Sequence, residues 1–256
     1  MDAAAELKKA AGIAACDVVK NGMKVGLGTG STVAYTVIEI GRRIAEEGLQ
    51  IIGVPTSIAT QNLAVEVGIP LAELGELGGL DVVIDGADEF DPAFQLIKGG
   101  GGALLREKIV AQSAAAMVVV ADDRKQVETL GEFPLPVEVT PFSWRETARQ
   151  LALVLEQNGC VGSIVLRRKQ DLSGATLDGV VFDANAEGGV FVTDNGNVIL
   201  DCKTGPAIGN PIELEKEILN LAGVAQVGLF NQMCDAVYLA SPNGVQVLTK
   251  PTGRLS

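Results

Sequence analysis

The residues best suited to chemistry lie between positions 80 and 108. An apolar run at 80–84, interrupted only by Asp81, predicts a strand buried on both faces of a parallel sheet. Four carboxylates follow this strand, at Asp85, Asp88, Glu89 and Asp91. Crowded carboxylates raise one another's pKa, which suits them to act as an acid or base near neutral pH. An aspartate-rich turn has the same spacing, so the spacing by itself leaves a structural role open.

A lysine and four glycines come next. Lys98 precedes the glycines at 99–102, and a predicted helix follows with Glu107 in its first turns. Glycine runs lose much backbone entropy on folding, and one reason to tolerate that loss is close approach of backbone N–H groups to an anion. The alternatives are a flexible surface loop for the glycines and a solvated helix position for Glu107.

A second glycine-rich segment, GLGTGST at 26–32, stands between a predicted strand and a predicted helix. Backbone N–H groups and the positive end of a helix face an anion in this layout, although a simple tight turn shares it. Ser31 replaces the last glycine of a dinucleotide fingerprint, the next strand ends in Pro55 instead of an acid, and no P-loop lysine is present. The hydroxyls of Thr29, Ser31 and Thr32 suit a single phosphate group.

The order of predicted elements indicates the fold class. Predicted strands ending near residues 28, 55, 85 and 122 alternate with helices, and each leads into a polar or glycine-rich loop. This alternation predicts a doubly wound parallel α/β domain, whose ligands lie at the carboxyl ends of the strands. The chain becomes strand-rich after residue 130, with a hairpin turn at 194–197. We predict an α/β domain over 1–130 and 207–256, and a small α+β domain over 131–206.

Composition excludes several classes of protein. The net charge of −12 disfavours nucleic acid as a partner, and the longest apolar run, 114–121, is too short to cross a membrane. The chain has no histidine, so proton transfer falls to Asp, Glu, Lys, Tyr or Cys. Four widely spaced cysteines without a CxxC pair disfavour a zinc site or a disulfide framework and indicate a reducing compartment. We therefore predict a cytoplasmic protein.

Six segments together resemble ribose-5-phosphate isomerase of the A type. They are GLGTGST (26–32), DGADE (85–89), IKGGGGALLREK (97–108), ADDRKQVETLGEFPLPVEV (121–139), VTDNGNVILD (192–201) and GLF (228–230). The resemblance runs from about residue 6 to about residue 248. It implies an aldose–ketose isomerase without metal or cofactor, which interconverts ribose 5-phosphate and ribulose 5-phosphate in the non-oxidative pentose phosphate pathway.

The resemblance also implies site residues and an architecture. Glu107 is expected to be the catalytic base. The residues expected to bind substrate are Thr29, Gly30, Ser31, Thr32, Asp85, Gly86, Ala87, Asp88, Lys98, Gly99, Gly100, Gly101 and Lys125. The family fold is a Rossmann-like catalytic domain with a smaller ferredoxin-like lid, assembled as a homodimer or homotetramer.

The isomerase reaction suggests further roles for these residues, which we state as hypotheses. Lys98 and the N–H groups of residues 99–101 are the candidates to stabilise an oxyanion. Asp85 is expected to assist ring opening as a second catalytic carboxylate, and Asp88 to orient hydroxyls. Lys8 is expected to add positive charge near the phosphate.

Two departures and two alternative functions accompany this resemblance. Leu105 stands where relatives often have threonine, and the stretch 171–189 looks longer than in shorter relatives. A non-catalytic sugar-phosphate sensor would have no reason to keep a base and an oxyanion clamp together, and would normally be fused to a DNA-binding segment. An enzyme similar to coenzyme A transferases would use its glutamate as a nucleophile and would need a large cofactor-binding segment. Neither segment is visible in the sequence.

Overall fold

The computed structural model describes residues 3–169, 189–205 and 207–255. The chain divides into two compact units, formed by Met1–Ala87, Arg106–Gln126 and Gln232–Ser256, and by Asp88–Leu105 and Val127–Asn231. The predicted small domain, 131–206, lies within the second unit, and its role as a lid stays a prediction. Most of the stretch 171–189, whose length departs from the family pattern, lies outside the described residues.

The elements are numbered in chain order. The strands are β1 (Lys24–Leu27), β2 (Ile52–Pro55), β3 (Val82–Gly86), β4 (Glu89–Phe90), β5 (Leu96–Ile97), β6 (Met117–Asp122), β7 (Leu135–Val139), β8 (Ile164–Leu166), β9 (Val198–Cys202), β10 (Val224–Val227), β11 (Leu229–Phe230), β12 (Ala236–Ser241) and β13 (Gly244–Thr249). The α-helices are α1 (Ala3–Ala14), α2 (Val33–Glu47), α3 (Ile58–Glu66), α4 (Leu74–Leu77), α5 (Leu104–Gln112), α6 (Trp144–Gln157) and α7 (Pro211–Leu219).

The first unit is built on a six-stranded sheet with the order β13-β12-β6-β3-β1-β2. Its strands are parallel except β13, which pairs antiparallel with β12. The five parallel strands have the doubly wound order 2-1-3-4-5, in which the chain leaves the central pair in opposite directions. The carboxyl ends of β1 and β3 at this switch point are where doubly wound sheets bind their ligands. The predicted doubly wound fold is confirmed.

Helices pack on both faces of this sheet. Helices α1 and α2 cover one face, where Val33, Val37 and Ile40 of α2 are buried in the core. Helix α5 packs on β1. Its Val110 side chain lies so close to Gly26 that a Cβ atom at this position would overlap it. The glycine thus allows close contact between helix and strand.

The second unit contains two antiparallel sheets, with the orders β10-β7-β9-β8 and β11-β5-β4. Val137 of β7 is fully buried in one core with Leu151 of α6 and Leu214 of α7. This combination of antiparallel strands and helices confirms the smaller α+β part of the predicted fold. Among the helices of the described part, none combines the length and apolar character that crossing a membrane requires.

Candidate active site

The residues predicted to form the site are found in both units. The first unit holds Thr29, Gly30, Ser31, Thr32, Asp85, Gly86, Ala87, Glu107 and Lys125. The second unit holds Asp88, Lys98, Gly99, Gly100 and Gly101. The residues predicted for the site are therefore divided between the two units.

Asp85 fixes the loop that follows β1. Its side chain is fully buried, and its Oδ1 accepts hydrogen bonds from the N–H groups of Thr29 (3.1 Å) and Gly86 (2.8 Å). Gly28 lies so close to the same carboxylate that any Cβ atom would overlap it. Strand β3 extends to Gly86, close to the end predicted near residue 85. Two backbone amides thus satisfy one oxygen of this buried carboxylate.

The hydroxyl of Thr29 belongs to a network that the sequence patterns did not reveal. It lies 2.7 Å from the Thr56 hydroxyl, 2.8 Å from that of Ser57 and 3.1 Å from that of Thr60. Thr60 donates in turn to the carbonyl of Gly28 over 2.8 Å. The signal that could have found this network was the Thr-Ser pair directly after β2. Strand β1 lies between β2 and β3 in the sheet, so this network holds the loop from the side of β2, whereas Asp85 holds it from the side of β3.

Lys8 and Ser31 form the part of the first unit best suited to an anion. The amino group of Lys8 on α1 donates to the Ser31 hydroxyl over 3.0 Å. Thr32 is the capping residue before α2, and the Ala34 amide donates to the carbonyl of Gly30 over 3.0 Å. A cation therefore lies beside the positive end of a 15-residue helix, a combination that favours phosphate.

Glu107 lies in the first turn of α5 and is only 4% exposed. Val110, three residues later, packs against β1 at Gly26. Residues three apart share one face of a helix, so Glu107 lies on the side that faces the sheet. A helix that returns to a parallel strand begins at the carboxyl edge of the sheet, which is the edge where doubly wound sheets bind ligands. Burial removes the alternative of a solvated surface glutamate.

Lys125 ends the short 3₁₀ segment Asp123–Lys125, directly after β6. Strand β6 is the parallel neighbour of β3. Lys125 therefore lies just beyond the carboxyl edge of the sheet, the edge at which Asp85 also lies. Asp122, the last residue of β6, caps this segment and accepts hydrogen bonds from the Arg124 side chain (2.8 Å) and N–H group (3.2 Å). Burial alone would raise the pKa of Asp122, but Arg124 and the charge of Lys125 lower it below its usual value.

Lys98 is buried in the second unit beside an aromatic ring. Its amino group lies 5.4 Å from the centre of the Phe230 ring, within the range of a cation–π contact. Its N–H group donates to the carbonyl of Gly228 over 2.8 Å. A Cβ atom at Gly228 would overlap the Lys98 carbonyl, which explains the glycine in the GLF segment.

Asp88 binds the glycine loop, defined as residues 99–102. Its Oδ2 accepts the N–H group of Gly100 over 2.7 Å, and a Cβ atom at Gly100 would overlap the carboxylate. Gly99 and Gly102 have φ values of +105° and +82°, which side chains rarely adopt. Of the three loop amides predicted to stabilise an oxyanion, that of Gly100 therefore already has a protein acceptor.

Glu89 and Asp91, the other two acids of the predicted cluster, bind backbone amides of their own unit. Glu89 accepts the N–H groups of Gly131 (2.8 Å) and Phe133, and Asp91 accepts that of Gln95 (2.8 Å). Burial raises the pKa of both carboxyl groups despite these hydrogen bonds. Both side chains hold loops in place, which is the turn-like alternative weighed for this acidic run.

Arg167 contacts the glycine loop and was not singled out by sequence patterns. It follows β8, and one of its terminal nitrogens donates to the carbonyls of Gly99 (2.7 Å) and Gly100 (3.1 Å). The available signal was an arginine directly after a short apolar strand. No group of three or more acidic or cysteine side chains within the described residues is arranged to hold a metal ion.

Comparison with known proteins decides the family. The family model described as ribose 5-phosphate isomerase A (phosphoriboisomerase A) matches residues 52–244. The chain belongs to the ribose 5-phosphate isomerase A family. The resemblance predicted from the six sequence segments is thus confirmed.

Individual members of the ribose 5-phosphate isomerase A family match along nearly the whole chain. Ribose-5-phosphate isomerase A 1 of Oceanobacillus iheyensis is 44% identical, over 94% of this chain and 97% of its own length. The solved structure of ribose 5-phosphate isomerase A from Methanocaldococcus jannaschii is 40% identical with a TM-score of 0.80, covering 96% of this chain and 99% of that one. A D-ribose-5-phosphate isomerase solved in complex with phospho-erythronic acid is 35% identical with a TM-score of 0.82, covering 96% and 98%.

Proposed function

We propose that this chain is an aldose–ketose isomerase that interconverts D-ribose 5-phosphate and D-ribulose 5-phosphate through an enediolate. The observation that carries the proposal is family membership along nearly the whole chain. The relative solved with phospho-erythronic acid supports the substrate class, because a phosphorylated sugar acid carries a planar anionic carboxylate where an enediolate would be. The reaction belongs to the non-oxidative pentose phosphate pathway.

Glu107 is the proposed base. In the aldose-to-ketose direction it takes the proton from carbon 2, and the released electron pair forms the carbon 1–carbon 2 double bond with the charge on oxygen 1. The hydroxyl proton of oxygen 2 then passes to oxygen 1, and Glu107 returns its proton to carbon 1 as the ketone forms at carbon 2. A positioned base contributes roughly 10²–10⁴ to the rate. The burial of Glu107 at the first turn of α5 supports this role.

Lys98 and the glycine loop are proposed to stabilise the enediolate charge. Preorganised donors of this kind contribute on the order of 2.7–4 kcal/mol each. The amides of Gly99 and Gly101 complement Lys98, whereas the Gly100 amide serves the loop by binding Asp88. Asp88 orients substrate hydroxyls through its remaining acceptor capacity.

The first unit supplies the remaining binding groups. Asp85 assists ring opening, and Gly86 and Ala87 follow it in the same segment. The phosphate is bound by the Lys8 ammonium and by residues 29–32, which include the hydroxyls of Ser31 and Thr32. Lys125 adds a second cation for the substrate. The contact between Lys8 and Ser31 supports this assignment of the phosphate.

We also infer that the protein is cytoplasmic, needs no cofactor and forms a homodimer or homotetramer. Four buried free thiols agree with a reducing compartment. Sedimentation equilibrium should give a mass near two or four times the 26.5 kDa of one chain. A concentration-independent monomer would contradict the assembly.

The test of the function is conversion of ribose 5-phosphate to ribulose 5-phosphate with EDTA present, for the wild type beside Glu107→Gln. We expect turnover that survives chelation, and a fall in kcat of about 10²–10⁴ in the variant with little change in KM. Glu66→Gln, a change at an exposed helix position of the same unit, should leave kcat unchanged.

Other outcomes would change specific parts of the proposal. A Glu107→Gln variant that keeps more than about a tenth of wild-type kcat would redirect the search for the base to Asp85 and Asp88. A wild type that binds ribose 5-phosphate in calorimetry without converting it would favour the sensor function.

A further inference from the structure

We propose that Arg167 is a positioning residue that orients the Gly101 amide toward the enediolate by holding the carbonyl groups of the glycine loop. This inference rests on the proposed isomerase function. Arg167 binds two consecutive carbonyls, those of Gly99 (2.7 Å) and Gly100 (3.1 Å), through one terminal nitrogen. Its own side chain is 4% exposed.

Peptide geometry links these carbonyls to the amides of the loop. In a planar trans peptide the C=O group and the following N–H group point in opposite directions. Holding the Gly99 carbonyl therefore aims the Gly100 amide away from Arg167, and this amide indeed binds Asp88 over 2.7 Å. By the same rule, holding the Gly100 carbonyl aims the Gly101 amide to the side away from the guanidinium. Gly101 is exposed, so a substrate can reach it.

The rest of the arginine side chain is locked. Its Nε donates to Oδ2 of Asp201 over 2.8 Å and its second terminal nitrogen donates to Oδ1, so the carboxylate is bound at both oxygens. Asp201 lies on β9 opposite Val165 of β8, and the Arg167 amide continues this pairing by donating to the Ile199 carbonyl over 2.9 Å. The carboxylate thereby compensates the buried charge and fixes the rotation of the guanidinium plane.

The Phe191 ring packs against the other end of the glycine loop. The Phe191 amide donates to the Arg167 carbonyl over 3.0 Å, and the ring centre lies 6.0 Å from the guanidinium carbon. A Cβ atom at Gly102 would overlap the same ring. The loop thus has a fixed support at both ends, although two of its glycines have φ values that other residues avoid.

An arginine is the residue type that this task requires. The planar guanidinium binds a carboxylate with two nitrogens while the third donates to carbonyls. A lysine offers a single ammonium on a flexible stem and cannot make both sets of bonds in this geometry. Arg167→Lys should therefore keep a positive charge beside Asp201 but lose the hydrogen bonds to the carbonyls of the glycine loop.

Steady-state kinetics of Arg167→Lys test the proposal. We expect kcat to fall by about 10- to 100-fold with KM within about 3-fold of wild type, because a misaimed amide affects the charge that develops in the transition state. The affinity for phospho-erythronic acid should fall by a similar factor, since it mimics the enediolate. Arg149→Lys, an exposed position of α6 in the same unit, serves as the matched control and should change neither value.

A second variant separates positioning from folding. Arg167→Gln combined with Asp201→Asn removes both charges together, so that no buried charge is left uncompensated. It should show the same loss of kcat while urea unfolding and circular dichroism show a folded chain.

Three results would overturn the proposal. Wild-type kcat in folded Arg167→Lys would remove the positioning role and leave the isomerase function standing. Activity that falls only in proportion to folded protein in both variants would assign Arg167 to the fold alone. Absence of wild-type turnover would overturn the isomerase function first, and this role with it.

Discussion

The backbone amide of Thr29 donates a hydrogen bond to Oδ1 of Asp85 over 3.1 Å. The two residues are 56 positions apart in the chain, and they meet because β1 and β3 are parallel neighbours at the switch point of the sheet. The candidate phosphate loop and the DGAD segment are therefore one structural feature. A change in either segment should affect both the stability of the loop and the binding of substrate.

Gly28→Ala tests this relationship directly. The new methyl group would overlap the Asp85 carboxylate, which is fully buried and held by two amides. We expect a loss of about 1–3 kcal/mol in the free energy of unfolding, the usual effect of overpacking, and a fall in kcat/KM. Urea unfolding and steady-state kinetics measure the two effects.

The matched control for this substitution is Gly75→Ala. No atom lies within 4 Å of the Cβ position at Gly75 in α4, so alanine should be neutral or slightly stabilising there. Wild-type stability in Gly28→Ala would show that the loop yields easily and would contradict a tight contact with Asp85.

Gly100→Ala tests the contact between the glycine loop and Asp88. The methyl group would displace the carboxylate that now accepts the Gly100 amide over 2.7 Å. Because a carboxylate can rotate, we expect less than about 1 kcal/mol of lost stability but at least about a 10-fold fall in kcat. Steady-state kinetics beside urea unfolding separate the two effects. Gly209→Ala, whose Cβ would meet open space, is the control, and unchanged kinetics at Gly100 would exclude a tight loop.

Lys125→Ala tests a cation at the carboxyl edge of the sheet. Lys125 follows β6, the parallel neighbour of the strand that carries Asp85. Loss of a cation that binds an anionic substrate equally in ground and transition states should raise KM with little change in kcat. Lys216→Ala, at an exposed position of α7, is the control, and an unchanged KM for Lys125→Ala would remove this residue from the site.

Arg254→Ala tests a pH-dependent contribution to stability. Burial would raise the pKa of Asp235, but hydrogen bonds from Arg254 and the Met117 amide lower it below the usual 3.8. The lowered pKa means that the unfolded chain binds the proton more readily. The contribution is therefore present above about pH 3.8 and is lost as the pH falls through the pKa of the folded state.

Urea unfolding at pH 7 and pH 3 should show this effect. The variant should lose about 1–2 kcal/mol at pH 7, near the lower end for charged hydrogen bonds because Arg254 is half-exposed, and less at pH 3. Arg149→Ala breaks a solvent-exposed pair with Glu146 and should leave the unfolding midpoint unchanged. An equal loss at both pH values would contradict the assignment to Asp235.

Much of the architecture could be predicted because local patterns determine it. Strands β3 and β6 have continuous apolar runs, as strands covered on both faces must, and the glycine-rich turn after β1 leads directly into a helix. The six motif segments then carried the resemblance to the family. Strand β3 ends at Gly86, close to the predicted end near residue 85, but the pattern left a turn open for Asp85 because its amide partners were unknown.

The sequence by itself determined which segments form the sheets and which segments carry chemistry, since hydrophobic period and turn residues act over a few neighbouring positions. Only the tertiary structure decided which backbone groups the polar side chains bind. Asp85 meets the amide of Thr29, Asp88 meets that of Gly100, and Arg167 meets the carbonyl of Gly99 across 68 positions. These pairings depend on strand order and on the close approach that glycine permits, and neither is encoded in a local pattern.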